Sequence, residues 1–139
     1  MRAPMSMRAV AVATLGAASA VALSQPLEAV FADAGMATRI DPASIRSDGP
    51  YRIGRTVYTL TLPLQMGAHP IDGGEDVNVV DCTARTMGYA QRRFMLAGAV
   101  VDERTTPRTD WARTLRPVPT VASAPRAIAD RLCDMREGS

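Results

Sequence analysis

The chain has no lysine, a single histidine, two cysteines and few aromatic residues, which make up 4% of its 139 positions. Each scarcity narrows what it can be. The one histidine, His69, lies in a polar stretch and the two cysteines are expected to pair with each other, so no Ser/His/Asp or Cys/His arrangement stands out. With so few rings, aliphatic side chains must fill the core. No internal repeat or low-complexity tract is present. The basic residues are all arginine. That fits bidentate anion recognition by a planar guanidinium, and equally the arginine and alanine bias of a GC-rich genome. The net charge of +2 is supplied by Arg2 and Arg8, so the chain from Gln25 onward balances near zero. Without a basic patch, nucleic-acid binding has little electrostatic footing.

Arg2 and Arg8 precede an uncharged run, Ala9–Leu23, that ends among small residues. This is the anatomy of a secretory signal peptide spanning Met1–Ser24. Cleavage is expected after Ala22-Leu23-Ser24, with Ala18-Ser19-Ala20 as the rival site. The run is about 15 residues, short of the roughly 20 that a membrane-spanning helix needs, so a retained anchor is the lesser alternative. No twin arginine and no cleavage-site cysteine is found. The expected route is therefore general secretion without a lipid anchor, to the periplasm or the medium. An exported chain with one pair of cysteines, Cys82 and Cys133, is expected to carry one structural disulfide. The remaining 25–139 segment is long enough for one domain and not for two.

Leu27–Ala32 reads as a strand or a helical turn and Met36–Ile40 as a strand. Asp41 then suits an N-cap, with Pro42 opening a single helical turn. Ser47-Asp48-Gly49-Pro50 is a turn signal. In the stretch from Arg52 to Leu64, Tyr58, Leu60, Leu62 and Leu64 alternate with Val57, Thr59, Thr61 and Pro63, which predicts one apolar stripe on a sheet face. Pro63 marks a strand end or edge. Gly67–Asp76 reads as a polar loop, followed by a strand carrying Cys82, a break at Gly88, and strands over Tyr89–Leu96 and Ala97–Val101. Glu103–Asp110 reads as a charged connection. Ser123 is the expected N-cap of a helix over Ala124–Met135, with Pro125 in its first turn. Ile128, Ala129, Leu132 and Cys133 form its apolar face, and Arg126 and Asp130 its solvent side.

The candidate chemistry is sparse. His69 with Asp72, Glu75 and Asp76 invites a metal or acid–base site, against the plainer expectation of a solvated loop and no metal. Gly73-Gly74 lacks the strand-to-helix context and the lysine of a phosphate cradle and reads as a turn. Arg92-Arg93 would contact an anion jointly only if both faced one way, which an extended strand forbids. Asp81 reads as a surface carboxylate paired to an arginine, and Trp111 as a cover for one end of the core rather than a binding hot spot.

From Ile40 onward the ordered features resemble the bacterial surface-adhesin protein E family. They are Ile40-Asp41-Pro42-Ala43-Ser44-Ile45-Arg46, the alternating strand to Leu64, Val80-Asp81-Cys82-Thr83-Ala84-Arg85, Gly98-Ala99-Val100-Val101, Trp111, and Ser123 leading to the helix with Cys133. The resemblance implies an α+β fold: a small antiparallel sheet packed against the C-terminal helix, with a disulfide between the matching cysteines. It also implies an exported, non-catalytic protein without cofactor that binds a protein or envelope component. It transfers no binding residues, and the lipid-attachment cysteine of a surface-anchored adhesin has no counterpart here. Homodimerisation through an edge strand is a further expectation. The alternative is a periplasmic enzyme inhibitor, with Gly67–Asp76 as its plug, or a small-ligand carrier. A small hydrolase is a third and lesser reading.

Overall fold

The computed structural model describes residues 26–134, so the signal peptide, its two cleavage sites and the expected helix end at Met135 lie outside the described residues. The described residues form eight strands, β1 (Glu28–Ala32), β2 (Met36–Ile40), β3 (Arg46–Asp48), β4 (Tyr51–Met66), β5 (His69–Asp81), β6 (Thr86–Leu96), β7 (Ala99–Thr105) and the short β8 (Arg116–Pro117), with helices α1 (Trp111–Thr114) and α2 (Ala124–Cys133). The described chain is 57% strand and 18% helix, so its class is set by the sheet. All strand pairs are antiparallel, in the order β1-β2-β4-β5-β6-β7.

Two flanks are shared by successive short strands. β2 and β3 both pair with β4, separated by a 3-10 turn at Pro42–Ser44 whose N-cap, Asp41, accepts from the Ala43 amide. β7 and β8 likewise both pair with β6. Between their registers, Gln91 opposite Thr105 and Met87 opposite Arg116, a short length of β6 has no strand on the side away from β5.

Apolar residues fill both faces of the sheet. Val80 belongs to a buried cluster with Ile40, Met87, Val118 and, from α2, Ile128, Ala129 and Leu132. Its neighbour Val79 points the other way, into a smaller cluster with Ile53 and Trp111, edged by Tyr51 and Leu115. Trp111 covers that end edge-on to Tyr51, with ring centroids 5.5 Å apart, and its indole N–H donates to the Thr106 carbonyl. Ser123 caps α2 by accepting from the Arg126 amide, with Pro125 in the first turn. Cys82 and Cys133 form a disulfide across a separation of 51 residues.

Several expectations need correcting. Gly67–Asp76 is not a loop: Gly67 and Ala68 make a tight turn, and β5 begins at His69. The polar residues fit a strand because β5 is central in the sheet and its charges find partners on the neighbouring strands. Cys82 lies in the turn after β5, not within it, and Gly88 does not interrupt β6. Ala97 and Gly98 form a turn with positive φ at both positions, and β7 runs on through Glu103 to Thr105. The apolar stripe on β4 holds only in part. Tyr58 is buried, but pairing with β5 breaks between Thr59 and Leu64, so on that side 60–63 stand against Asp72 alone. Thr61 bonds instead to the backbone of Ala34 and Gly35, leaving Leu62 77% and Leu64 53% exposed.

Gly73-Gly74 lies mid-strand, not in a turn. A Cβ at Gly73 would sit 2.6 Å from the Tyr58 carbonyl oxygen, and one at Gly74 2.5 Å from both the Arg93 carbonyl oxygen and the Tyr58 hydroxyl. Gly74→Ala is expected to cost about 2 kcal/mol through overpacking against backbone that cannot yield. Urea unfolding midpoints at constant m-value would show it.

Candidate functional site

The residues singled out by sequence do not converge. His69 is exposed at the start of β5. Asp72 accepts from the Ala97 amide, and Glu75 and Asp76 project from opposite faces of one strand. Among the described residues no group of three or more His, Cys, Asp or Glu could hold a metal ion. Among the described residues Asp81 pairs with no arginine. It accepts from the Thr83 and Ala84 amides and organises the turn that presents Cys82. Among the described residues no helix is long and apolar enough to cross a membrane.

A different constellation forms around Arg92. Arg92 and Arg93 separate to opposite faces, as extended geometry requires. Arg93 joins an exposed ladder with Glu75 and Glu103. Arg92 donates from Nε and Nη2 to the two carboxylate oxygens of Asp76, at 3.0 and 3.3 Å. Asp76 is only 6% exposed. Burial pushes its carboxyl above the ordinary carboxylate range, although the Arg92 hydrogen bonds pull the other way. Lost hydration works to lower the Arg92 pKa, but the Asp76 bonds and charge outweigh it and the guanidinium titrates above its usual value. The two shifts carry opposite implications for the pair. The geometry decides for an ionised one, since two aligned N–H donors face two acceptor oxygens.

A β-bulge makes the site. β6 pairs Gln91 with Val77 but Tyr89 with Asn78, so Ala90 is an extra residue. In a regular strand Tyr89 and Arg92 would face opposite ways; the bulge turns them to the same side. Arg92 therefore lies over the Tyr89 ring, 3.9 Å from its centroid, and within 5.3 Å of Phe94. Arg104, directly across from Arg92 on β7, approaches the same Phe94 ring at 5.1 Å. Two like charges in cross-strand register are tolerated because Asp76 neutralises one, Asp102 pairs with the other at 3.4 Å, and an aromatic ring lies between. Burial also raises the pKa of the Tyr58 and Tyr89 hydroxyls above the ordinary value.

Where β6 lacks a strand on its outer side, a groove of about 370 Å³ opens, lined by Met87, Gly88, Tyr89, Arg92, Arg104, Thr106, Thr114, Arg116, Pro117, Pro119 and Pro125. Arg116 stands on its rim, its Nη1 donating to the Arg113 and Leu115 carbonyls. Neither Tyr89 nor Arg116 drew notice as a sequence signal, because their association depends on the bulge and on β8. The arginine-only composition was the one hint. No protein-family model matches this chain, and no curated protein or solved structure matches it either.

Proposed function

We propose that this chain is an exported, non-catalytic α+β binding protein, its terminal helix packed on the sheet, that recognises a protein or envelope component through the arginine-rimmed groove on β6. The observation that carries this reading is the groove itself: a concave, mainly apolar surface with three guanidiniums and no acidic residue in its lining. The disulfide is consistent with an oxidising compartment, in line with export. The resemblance of the ordered sequence features to the surface-adhesin protein E family favours an interaction role. The inhibitor reading is weaker, because the segment assigned to its plug is a central strand.

The test is capture from envelope extract with immobilised wild-type protein and with the Arg104→Glu/Arg116→Glu double variant. Both side chains are exposed, so folding should survive. Reproducible capture that weakens with salt and is lost in the double variant is the expected result. Equal capture by both proteins would place recognition elsewhere.

A further inference from the structure

We infer that the groove is a slot for a single carboxylate carried on a slender apolar stem; this rests on the binding role proposed for the groove. Three observations narrow the ligand. The first is width. The unflanked part of β6 lies between the Met87–Arg116 and Gln91–Thr105 pairs, and the Thr106 amide closes its upper end on the Ala90 carbonyl. What remains without a strand partner on this side is Gly88 and Tyr89, about 7 Å of strand at roughly 3.3 Å per residue, with Leu115 packed against Gly88. A second strand cannot run along so short an opening, but a chain end or an alkyl stem can enter it.

The second observation is charge. Arg92 is committed to Asp76 and Arg104 to Asp102, while Arg116 has no carboxylate partner among the described residues. The groove thus offers one uncompensated cation, which suits a monoanion; a phosphate dianion would call for two. A guanidinium already held through Nη1 has lost part of its freedom before a ligand arrives, and its remaining N–H groups match a carboxylate. The third observation is the floor. Met87, Tyr89, Pro117, Pro119 and Pro125 present apolar surface below that charge, so acetate alone would leave most of the groove unfilled.

Calorimetric titration of the oxidised protein with hexanoate, hexanamide, acetate and inorganic phosphate tests this. N-acetyl-Val-Leu as free acid and as amide separates a peptide terminus from a free alkyl acid as the source of the carboxylate. Hexanoate or the peptide acid should bind at one site, at least tenfold more tightly than the matching amide and than acetate. Phosphate should not displace either. Arg116→Gln should weaken binding about tenfold, Arg116→Lys less, and Arg39→Gln, on distant β2, not at all. Amides binding as well as acids, displacement by phosphate, or an unchanged Arg116→Gln would overturn the inference. If envelope capture still depends on Arg104 and Arg116 while no carboxylate binds, only this ligand class fails. Carboxylate binding without envelope capture would remove the partner reading and keep the slot.

Discussion

Replacing Cys82 and Cys133 together by alanine is expected to lower folding stability by about 4 kcal/mol, the chain-entropy value for a loop closed across 51 residues. That is comparable with the whole net stability of many small domains. The reason lies in the topology. The bridge joins the β5–β6 turn to the last residue of α2, and α2 contributes Ile128, Ala129 and Leu132 to the larger buried cluster. Once the bond is cut, the unfolded chain regains its freedom and a ten-residue helix must hold its place by packing alone. Urea denaturation of the double variant, and of wild type with and without reductant, measures the loss. A midpoint unmoved by reductant, with both thiols shown to be alkylatable, would refute the expectation.

Asp76→Ala is expected to cost about 3 kcal/mol, the low end for breaking a buried ion pair, because Arg92 keeps some contact with water. The Arg92 side chain is 32% exposed and that of Asp76 8%. Removing the carboxylate leaves a cation wedged between Tyr89 and Phe94 with no acceptor, and should loosen the groove floor. Asp76→Asn should lose less.

Acid unfolding adds a second reading of the same pair. The folded-state pKa of Asp76 is raised above the ordinary 3.8. Between those values the native protein binds more protons than the unfolded chain, so this group removes stability as pH rises. Asp48 acts in the opposite sense. The Arg108 hydrogen bonds hold its pKa below 3.8, so its contribution is complete above that value and is lost as pH falls through the lower folded one. Asp48→Asn should therefore flatten the acid limb and Asp76→Asn steepen it. Unfolding midpoints between about pH 2 and 7 would show either slope.

Local rules were legible wherever a residue's conformation depends on its immediate neighbours. Asp41 before Pro42 capped a helical turn, Ser123 capped α2, and Met36–Ile40 formed a strand with the expected limits. The opposite facing of Arg92 and Arg93 followed from strand geometry alone. Misreadings arose where polarity stood in for irregularity. His69–Asp76 is rich in charge and glycine and still forms a central strand, because Glu75 and Asp76 meet arginines on adjoining strands, and glycine is the residue that fits beneath Tyr58.

The amino-acid order by itself determined that two cysteines stand far apart along the chain, that α2 has one apolar face, and that arginine is the only strong cation available. These are properties of spacing and composition, which survive unfolding. Tertiary structure alone decided that Ala90 is bulged, that Tyr89 and Arg92 share a face, and that β7 and β8 stop short of each other to leave a groove between Arg104 and Arg116. A one-residue change of register inverts which side chains meet, and register is settled by the pairing of distant strands, which no local stretch of sequence encodes.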